Sequence, residues 1–515
     1  PRKRERGPMR GTAASRTAAK PSEGRLDRFK ESSEDAIHCI ALKLDVQSLH
    51  RLACCSRMLR AAVTRAAVAL LIESEDGITL APREGETALM RLHTSRVRRE
   101  LRAARGRVSG GARHTAMISS QGELLTFGHG VSGELGMGNF ENQSSPQRPL
   151  PHVTAVVVSA GFDFTICLTL SGDVYTFGHG SSGQLGHGDQ RSLSSPVCVT
   201  ALSGRGVSLV SAGGAHSLFV SADGRCHVCG DGRYGQLGVN EVLRVSKPRL
   251  LDIPYVVTDA SAGHLHSALV TECGKLLTCG DLSEGKLCHS EDHPLAEQSL
   301  PPGISRIAQF SPVETEAPLV QVSAAVRHTA AVSRCGRYFV CGQFYGDTPT
   351  LSFLQLGPME PSRGLPLGER VIQVALGAHH ALLLTDRQQV YSFLCDDPRP
   401  RKRYPQLGQG RDEPQRNLPK PVQLSQQEES APGDEAAVKE ETSKEAKETQ
   451  RVSLRASAIS AGQNHSVASS ATHGDTVFVF GSHKYGRLAH ELDASASYPF
   501  VVPYSSTSLR ITLQS

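Results

Sequence analysis

One segment recurs along this chain, and no other feature constrains the fold as strongly. It reads VSGGARHTAMISSQGELLTFGHGVSGELG from Val108 to Gly136, VSAGFDFTICLTLSGDVYTFGHGSSGQLG from Val158 to Gly186, and VSAGGAHSLFVSADGRCHVCGDGRYGQLG from Val210 to Gly238. Less complete copies begin at Ala260, Val322, Val374 and Ile459. An anchor position falls at Gly111, Gly161, Gly213, Gly263, Ala325, Gly377 and Gly462, advancing by 50, 52, 50, 62, 52 and 85 residues. Self-similarity at such a period marks a repeat architecture, in which each copy is one supersecondary unit.

Within each copy, short runs of apolar and β-branched residues are broken by D-G, S-G or C-G turns, the pattern of strand–turn–strand units. The 49 glycines, few aromatics and absence of tryptophan agree with many short strands and tight turns. Seven strand-rich units predict a propeller whose blades close into a ring and so protect their sheet edges. No apolar run approaches the length needed to span a bilayer, so a soluble protein with no membrane contact is expected.

The combination G-x-x-H-[ST], then D-G or S-G, then [FC]-G-x-G-x-x-G-[QE]-L-G resembles the repeat of the regulator of chromosome condensation family. The resemblance covers residues 105–512 and implies an all-β, seven-bladed propeller. It weakens in copies five and six, where Phe344 to Thr350 and Leu394 to Arg403 interrupt the Gly-rich turn. Two inserts are expected between blades, one at 290–318 and a charged, disordered one at 426–450. The family's founding members exchange guanine nucleotide on a Ran-type small GTPase, some of them on chromatin. A plant branch senses UV-B through clustered tryptophans, and this chain has none.

Two chemical motifs overlap in CHVCGDGRYGQLG, from Cys226 to Gly238. A dinucleotide loop needs a helix after its glycines. The residues that follow are not helical, and GHGVSG (128–133) and GHGSSG (178–183) fill the same place elsewhere. Gly230, Gly232 and Gly235 are therefore read as turn glycines. In a strand, Cys226 and Cys229 face opposite sides of the sheet and cannot share a metal. Cys229 also aligns with Phe127, Phe177, Cys279, Cys341 and Phe480, which marks an apolar packing position. Cys273 and Cys335 fall at the turn position of Asp223. His114, His216, His266, His328, His380 and His465 share one repeat position, with Phe164 in the second copy. Spread around a ring, they are expected to be neutral and to bond backbone between blades. No nucleophile set or carboxylate pair stands out, so no enzyme activity, metal or cofactor is expected.

Ahead of the repeats, residues 1–32 form a basic tail with ten Lys or Arg and three acids in the first thirty. Such a composition is expected to be disordered. Residues 33–75 show helical periodicity, broken near Asp45. The segment LDVQSLHRLACCSRMLRAA resembles the second half of an F-box, the helical module that docks the Skp adaptor of cullin-type ubiquitin ligases. The family's usual Leu-Pro opening is replaced here by SSED, Ser32 to Asp35. The resemblance implies adaptor contact through Ile37, Ile40, Leu44, Val46, Leu49, Leu52 and Met58. Arg-rich, helix-prone sequence over 76–104 is read as a helical linker.

These features point to a protein-binding scaffold, read first as the substrate-recruiting adaptor of a Skp–cullin–F-box ligase. The alternative is a guanine-nucleotide exchange factor or regulator of a Ran-type GTPase. Arg2 to Arg6 and PRPRKRYP (398–405) would then allow weak nucleic-acid or chromatin contact. Thirteen cysteines, an odd number without the density of a disulfide-stapled domain, fit a reducing cytosol or nucleus.

Overall fold

The computed structural model describes residues 106–240, 243–290, 292–298, 305–342, 350–355, 365–366, 368–395, 404–409, 419–424, 452–471, 476–484, 487–488 and 496–502. The tail, the F-box-like segment with its seven named residues, the linker and the 426–450 insert lie outside them. Among the described residues, no helix is long and apolar enough to cross a membrane.

The described chain forms seven antiparallel sheets of four or five strands, the blades of a β-propeller, and one two-stranded pair, Gln423–Leu424 with Val452–Ser453. Each blade runs from an inner to an outer strand in chain order, as in Val108–Gly110, His114–Ile118, Leu124–Gly128 and Gln143–Gln147. The second and third strands are buried along their whole length in most blades, because a neighbouring blade covers each face. That is why they read as continuous runs such as HSLFVS and LLTCGD rather than as an alternation. In the first three blades the outermost strands are largely exposed, and Pro146, Pro196 and Pro248 blunt those edges.

The core is a series of seams, each an apolar cluster drawn from two adjacent blades. Phe164, Leu168 and Val174 of the second blade meet Val210, Phe219 and Cys229 of the third. Met117, Leu125 and Phe127 of the first meet Val467, Val477 and Val479 of the seventh, so the ring closes. Both closing blades are continuous pieces of chain. Closure is fastened by the Gly110 amide on Ser460 Oγ (3.0 Å) and the Gln463 amide on the Gly111 carbonyl (3.1 Å).

Two expectations need correction. Residues 290–318 are not an insert between blades. Ser305–Val313 is the outer strand of the fourth blade, and Ala296–Gln298 adds a fifth strand beside it. Cys341 is not simply an apolar packing residue, since its sulfur is bonded to that of Cys288. The two residues stand on adjacent blades, a juxtaposition that spacing along the chain does not reveal.

Candidate functional site

The repeated histidines come first, because they were the strongest candidates for chemistry. His114, His216, His266, His328, His380 and His465 are all fully buried at the start of their strands. Each of five sets its Nε2 against a hydroxyl on the next blade. His114 meets Thr165 (2.9 Å), His216 meets Ser267 (2.8 Å), and His266 meets Thr329 (2.9 Å). His380 meets Ser466 (2.8 Å), and His465 meets Thr115 (2.9 Å) across the ring closure. Those hydroxyls donate back to a loop carbonyl of the preceding blade, as Thr165 does to Glu134 (2.8 Å) and Ser267 to Gln236 (2.6 Å). With its proton committed there, the hydroxyl oxygen must accept from Nε2–H. That bond suits either protonation state, and it is burial that selects the neutral imidazole, pushing His114 and His216 down to about 4 and His380 to about 3.

The partner is a hydroxyl and not backbone, which corrects the sequence expectation. The signal was present as the Thr or Ser that follows the histidine in each G-x-x-H-[ST] run. The anchor glycine belongs to the same device. A Cβ on Gly111 would lie 2.7 Å from His114 Cε1, and one on Gly213 would lie 2.6 Å from both His216 Cε1 and the Gly263 carbonyl oxygen. Gly161 stands in the same way against Phe164, with its Cβ position 2.7 Å from Cε1. Gly263 and Gly462 crowd His266 and His465 likewise. These residues join blades and do not form a catalytic group.

The overlapping motifs resolve in the same direction. Cys226 packs in the seam between blades three and four, while Cys229 packs in the seam between blades two and three. Burial pushes both thiols up to about 12. Gly235 is a turn glycine with φ of 78°, but Gly230, with φ of 116°, lies inside the strand Cys226–Asp231, and Gly232 does not adopt positive φ.

Leu170, Val256, Cys273 and Cys335 are exposed at the second-to-third strand turns and blade connections on one side of the ring. On the other side, further accessible groups stand on the loops linking third to fourth strands. These loops share one face with the loops linking first to second strands. In the first, second and fourth blades the loop is closed from within by a complementary pair. In the first blade His129 Nδ1 meets Glu134, whose other oxygen accepts the Ser132 amide (2.8 Å). The second blade does the same with His179 and Gln184, and the Ser182 amide bonds Gln184 at 2.9 Å. The fourth blade reverses the charges: Lys286 Nζ lies 2.6 Å from Asp281, and both side chains are buried. Arginines cross the seams above. Arg113 holds Asp163 (2.6 Å), Arg244 reaches Gln190 (2.8 Å), Arg306 reaches the Arg233 carbonyl (2.9 Å) and Arg327 lies 3.3 Å from Glu284.

His129, Glu134 and Asp163 offer ligand atoms within 4.8 Å of one another. Glu134 is fully engaged by His129 and Ser132, and Arg113 occupies Asp163, so the group reads as a loop clasp. Burial raises the Glu134 carboxyl above its ordinary range while the His129 contact opposes that shift. The mouth of the central channel is ringed by small residues and backbone, with His264 and Gln463 the polar side chains in its lining. There Phe162 and His264 face each other at 4.9 Å across Gly214. Exposed apolar side chains stand nearby on the loop face: Val131 and Phe140 on the first blade, Leu243 on the third and Leu295 on the fourth. Single-sequence reasoning missed these four, because exposure of a loop residue has no periodic signal.

A model of the regulator of chromosome condensation (RCC1) repeat matches residues 121–168, 171–220 and 223–270. A second model of that repeat matches 155–184 and 207–236. Human "Regulator of chromosome condensation" is 31% identical over 197 residues, 38% of this chain and 44% of that protein. Human "Probable E3 ubiquitin-protein ligase HERC6" is 32% identical over 228 residues, 41% of this chain and 21% of the relative. The chain spans less than half the length of the curated relatives it matches. Among solved structures, Prp20p of Saccharomyces cerevisiae, described with its binding to Gsp1p and histones, superposes with a TM-score of 0.57. It is 16% identical, over 76% of this chain and 88% of that one. Human WBSCR16 superposes at 0.56 with 18% identity, over 74% and 93%. These two likenesses show the fold. The chain therefore carries RCC1 repeats in a seven-bladed propeller.

Proposed function

We propose that this propeller binds a small GTPase of the Ran type on its loop-bearing face and promotes release of the bound guanine nucleotide. One observation carries the reading: the repeated chemistry is consumed in fastening blades, whereas Val131, Phe140 and Leu243, with the exposed Arg191 that pairs with Asp189, stand on the loops of one face. A rigid ring that presents irregular loops is a recognition surface. The likeness to regulators of chromosome condensation, and to Prp20p with its named partners Gsp1p and histones, supports a GTPase and a chromatin setting. The reading asks for no covalent chemistry, metal or cofactor, and it places the protein in the nucleus or cytosol.

Release of a fluorescent guanine nucleotide from Ran-type GTPases tests it, using the full chain. Acceleration is expected, and Phe140→Asp with Arg191→Glu should reduce it at least tenfold. No acceleration and no binding across several such GTPases overturns the proposal.

A second reading rests on the amino-terminal segment and on the ubiquitin-ligase relatives that share the repeat. In it the F-box-like module docks a Skp adaptor and the propeller recruits a protein for ubiquitination. Capture of the adaptor by the full chain, lost on Leu49→Asp with Leu52→Asp, would support this second reading. Absence of capture would sink it.

A further inference from the structure

The seam between the fourth and fifth blades departs from the repeat at one place, and the departure meets a cysteine that the repeat itself allows. The glycine closing each [QE]-L-G run adopts left-handed backbone, with φ of 74° at Gly136, 81° at Gly186, 65° at Gly238 and 62° at Gly408. The fourth blade puts Cys288 there, at φ 59°, a conformation that residues with a side chain adopt rarely. Across the seam, the facing residue is the one before the glycine of the next blade's third strand. A Cβ on Gly136 or Gly408 would lie 2.9 Å from the ring of Phe177 or Phe480. Facing Cys288 that residue is Cys341, and the two sulfurs are bonded, with Cα atoms 5.9 Å apart.

The reduced pair also has a place in this seam. Cys341 Sγ lies 3.5 Å from the Lys286 carbonyl, as Cys229 Sγ lies 3.4 Å from that of Gln184 and Cys279 Sγ lies 3.6 Å from that of Gln236. A thiol at Cys341 would donate to a carbonyl already in position, as its two free counterparts do. Cys288 keeps 8% exposure while Cys341 has none, so exchange enters at Cys288.

We propose that Cys288 and Cys341 form a reversible redox pair that locks the seam between blades four and five. A low-molecular-weight disulfide such as oxidised glutathione is the oxidant. The Cys288 thiolate attacks one of its sulfurs and expels a thiolate. The Cys341 thiol then gives up its proton and attacks the Cys288 sulfur of the mixed disulfide, expelling the second. Two protein thiols become one disulfide, one small disulfide becomes two thiols, and two electrons pass to the oxidant. The lock bears on the loop face, because Lys286 lies two residues before Cys288 and its carbonyl also accepts the Thr329 hydroxyl at 2.7 Å.

The test uses the full chain equilibrated in oxidised and reduced glutathione. Peptide mapping after alkylation should find residues 288 and 341 linked in the oxidised sample and separately alkylated in the reduced one. The interconversion should proceed while the protein stays folded. Reduction should lower the melting temperature by a few degrees and raise amide exchange at 286–289 and 340–342. The double variant Cys288→Gly, Cys341→Phe rebuilds the contact of Gly136 with Phe177 and should melt at one temperature in both buffers. The proposal is overturned if no linked peptide forms under oxidising conditions. It is equally overturned if the link breaks only on unfolding, or if the double variant keeps the full redox shift.

Discussion

The seams among blades two to four and those among blades four to seven close the same ring by different means. In the early seams the repeat's own parts suffice. The residue four before the anchor glycine is Val157 in the second blade and Leu209 in the third, and both belong to apolar packing. In the later seams that position becomes polar and reaches across. Asp259 accepts the Val322 amide (2.9 Å). Gln321 bonds both the amide and the carbonyl of Val374, each at 2.8 Å. Gln373 does the same to Ile459, at 3.2 and 2.7 Å.

The exchange is local and compensatory. Between blades five and six, the residue where other copies offer His a hydroxyl is Ala381, and Gln321 bridges that seam. Between blades six and seven, Ala375 replaces the inner-strand serine whose counterparts Ser109, Ser159 and Ser323 each accept an amide of the next blade. There Gln373 supplies two bonds instead. Decay of the repeat in sequence is therefore not loss of a blade. The serine holds the amide one residue before the anchor, as at Leu376, whereas the glutamine holds the amide and carbonyl three before it, at Val374 and Ile459, so the later blades add a different bridge across the same seam.

The comparison can be broken most severely at the amides. Gln321→Ala leaves the Val374 amide and carbonyl buried without their partner, and two such groups should cost about 3 kcal/mol in denaturant unfolding. Val157→Ala in an early seam should cost about 1 kcal/mol, since it removes only apolar atoms. Equal costs would mean that the later seams do not depend on their amide bridges. A sharper version converts one early seam into another: His216→Phe copies Phe164 and should cost about 1 kcal/mol at neutral pH. The smallest effect is expected on the loop face. Glu134 is buried, but Glu134→Gln reproduces Gln184 beside its own histidine and keeps an acceptor for the Ser132 amide, so it should change stability by less than about 1 kcal/mol. A large loss there would show that the charge on Glu134 matters beyond closing its loop.

Much of this was legible in the chain, for a physical reason. The anchor glycines and the strand runs are dictated by contacts within one blade or with an identical neighbour, so they recur at a fixed spacing. The blade count and the opposite facing of Cys226 and Cys229 follow from that spacing and from strand geometry alone. What crosses a seam was harder to read. The His–hydroxyl bond joins residues fifty or more apart, and only the recurring Thr or Ser after the histidine hinted at it. Cys288 and Cys341 are 53 residues apart in different repeat positions, so no alignment of copies could pair them. Ser305–Val313 was hidden because the Pro-rich stretch before it reads as a linker.

The account's central claim is that buried, neutral histidines fasten the seams, and pH-dependent unfolding tests it most directly. Burial holds His114 and His216 at about 4, below the ordinary histidine value of 6.5. The folded ring stays neutral while the unfolded chain takes up protons, so this stability is complete above pH 6.5 and is lost as pH falls toward 4. Between pH 7 and pH 5 each such histidine should cost about 2 kcal/mol. Urea unfolding of the wild type and of His216→Phe at both pH values should show the variant losing about 2 kcal/mol less over that interval. An identical loss in the two proteins would contradict the claim.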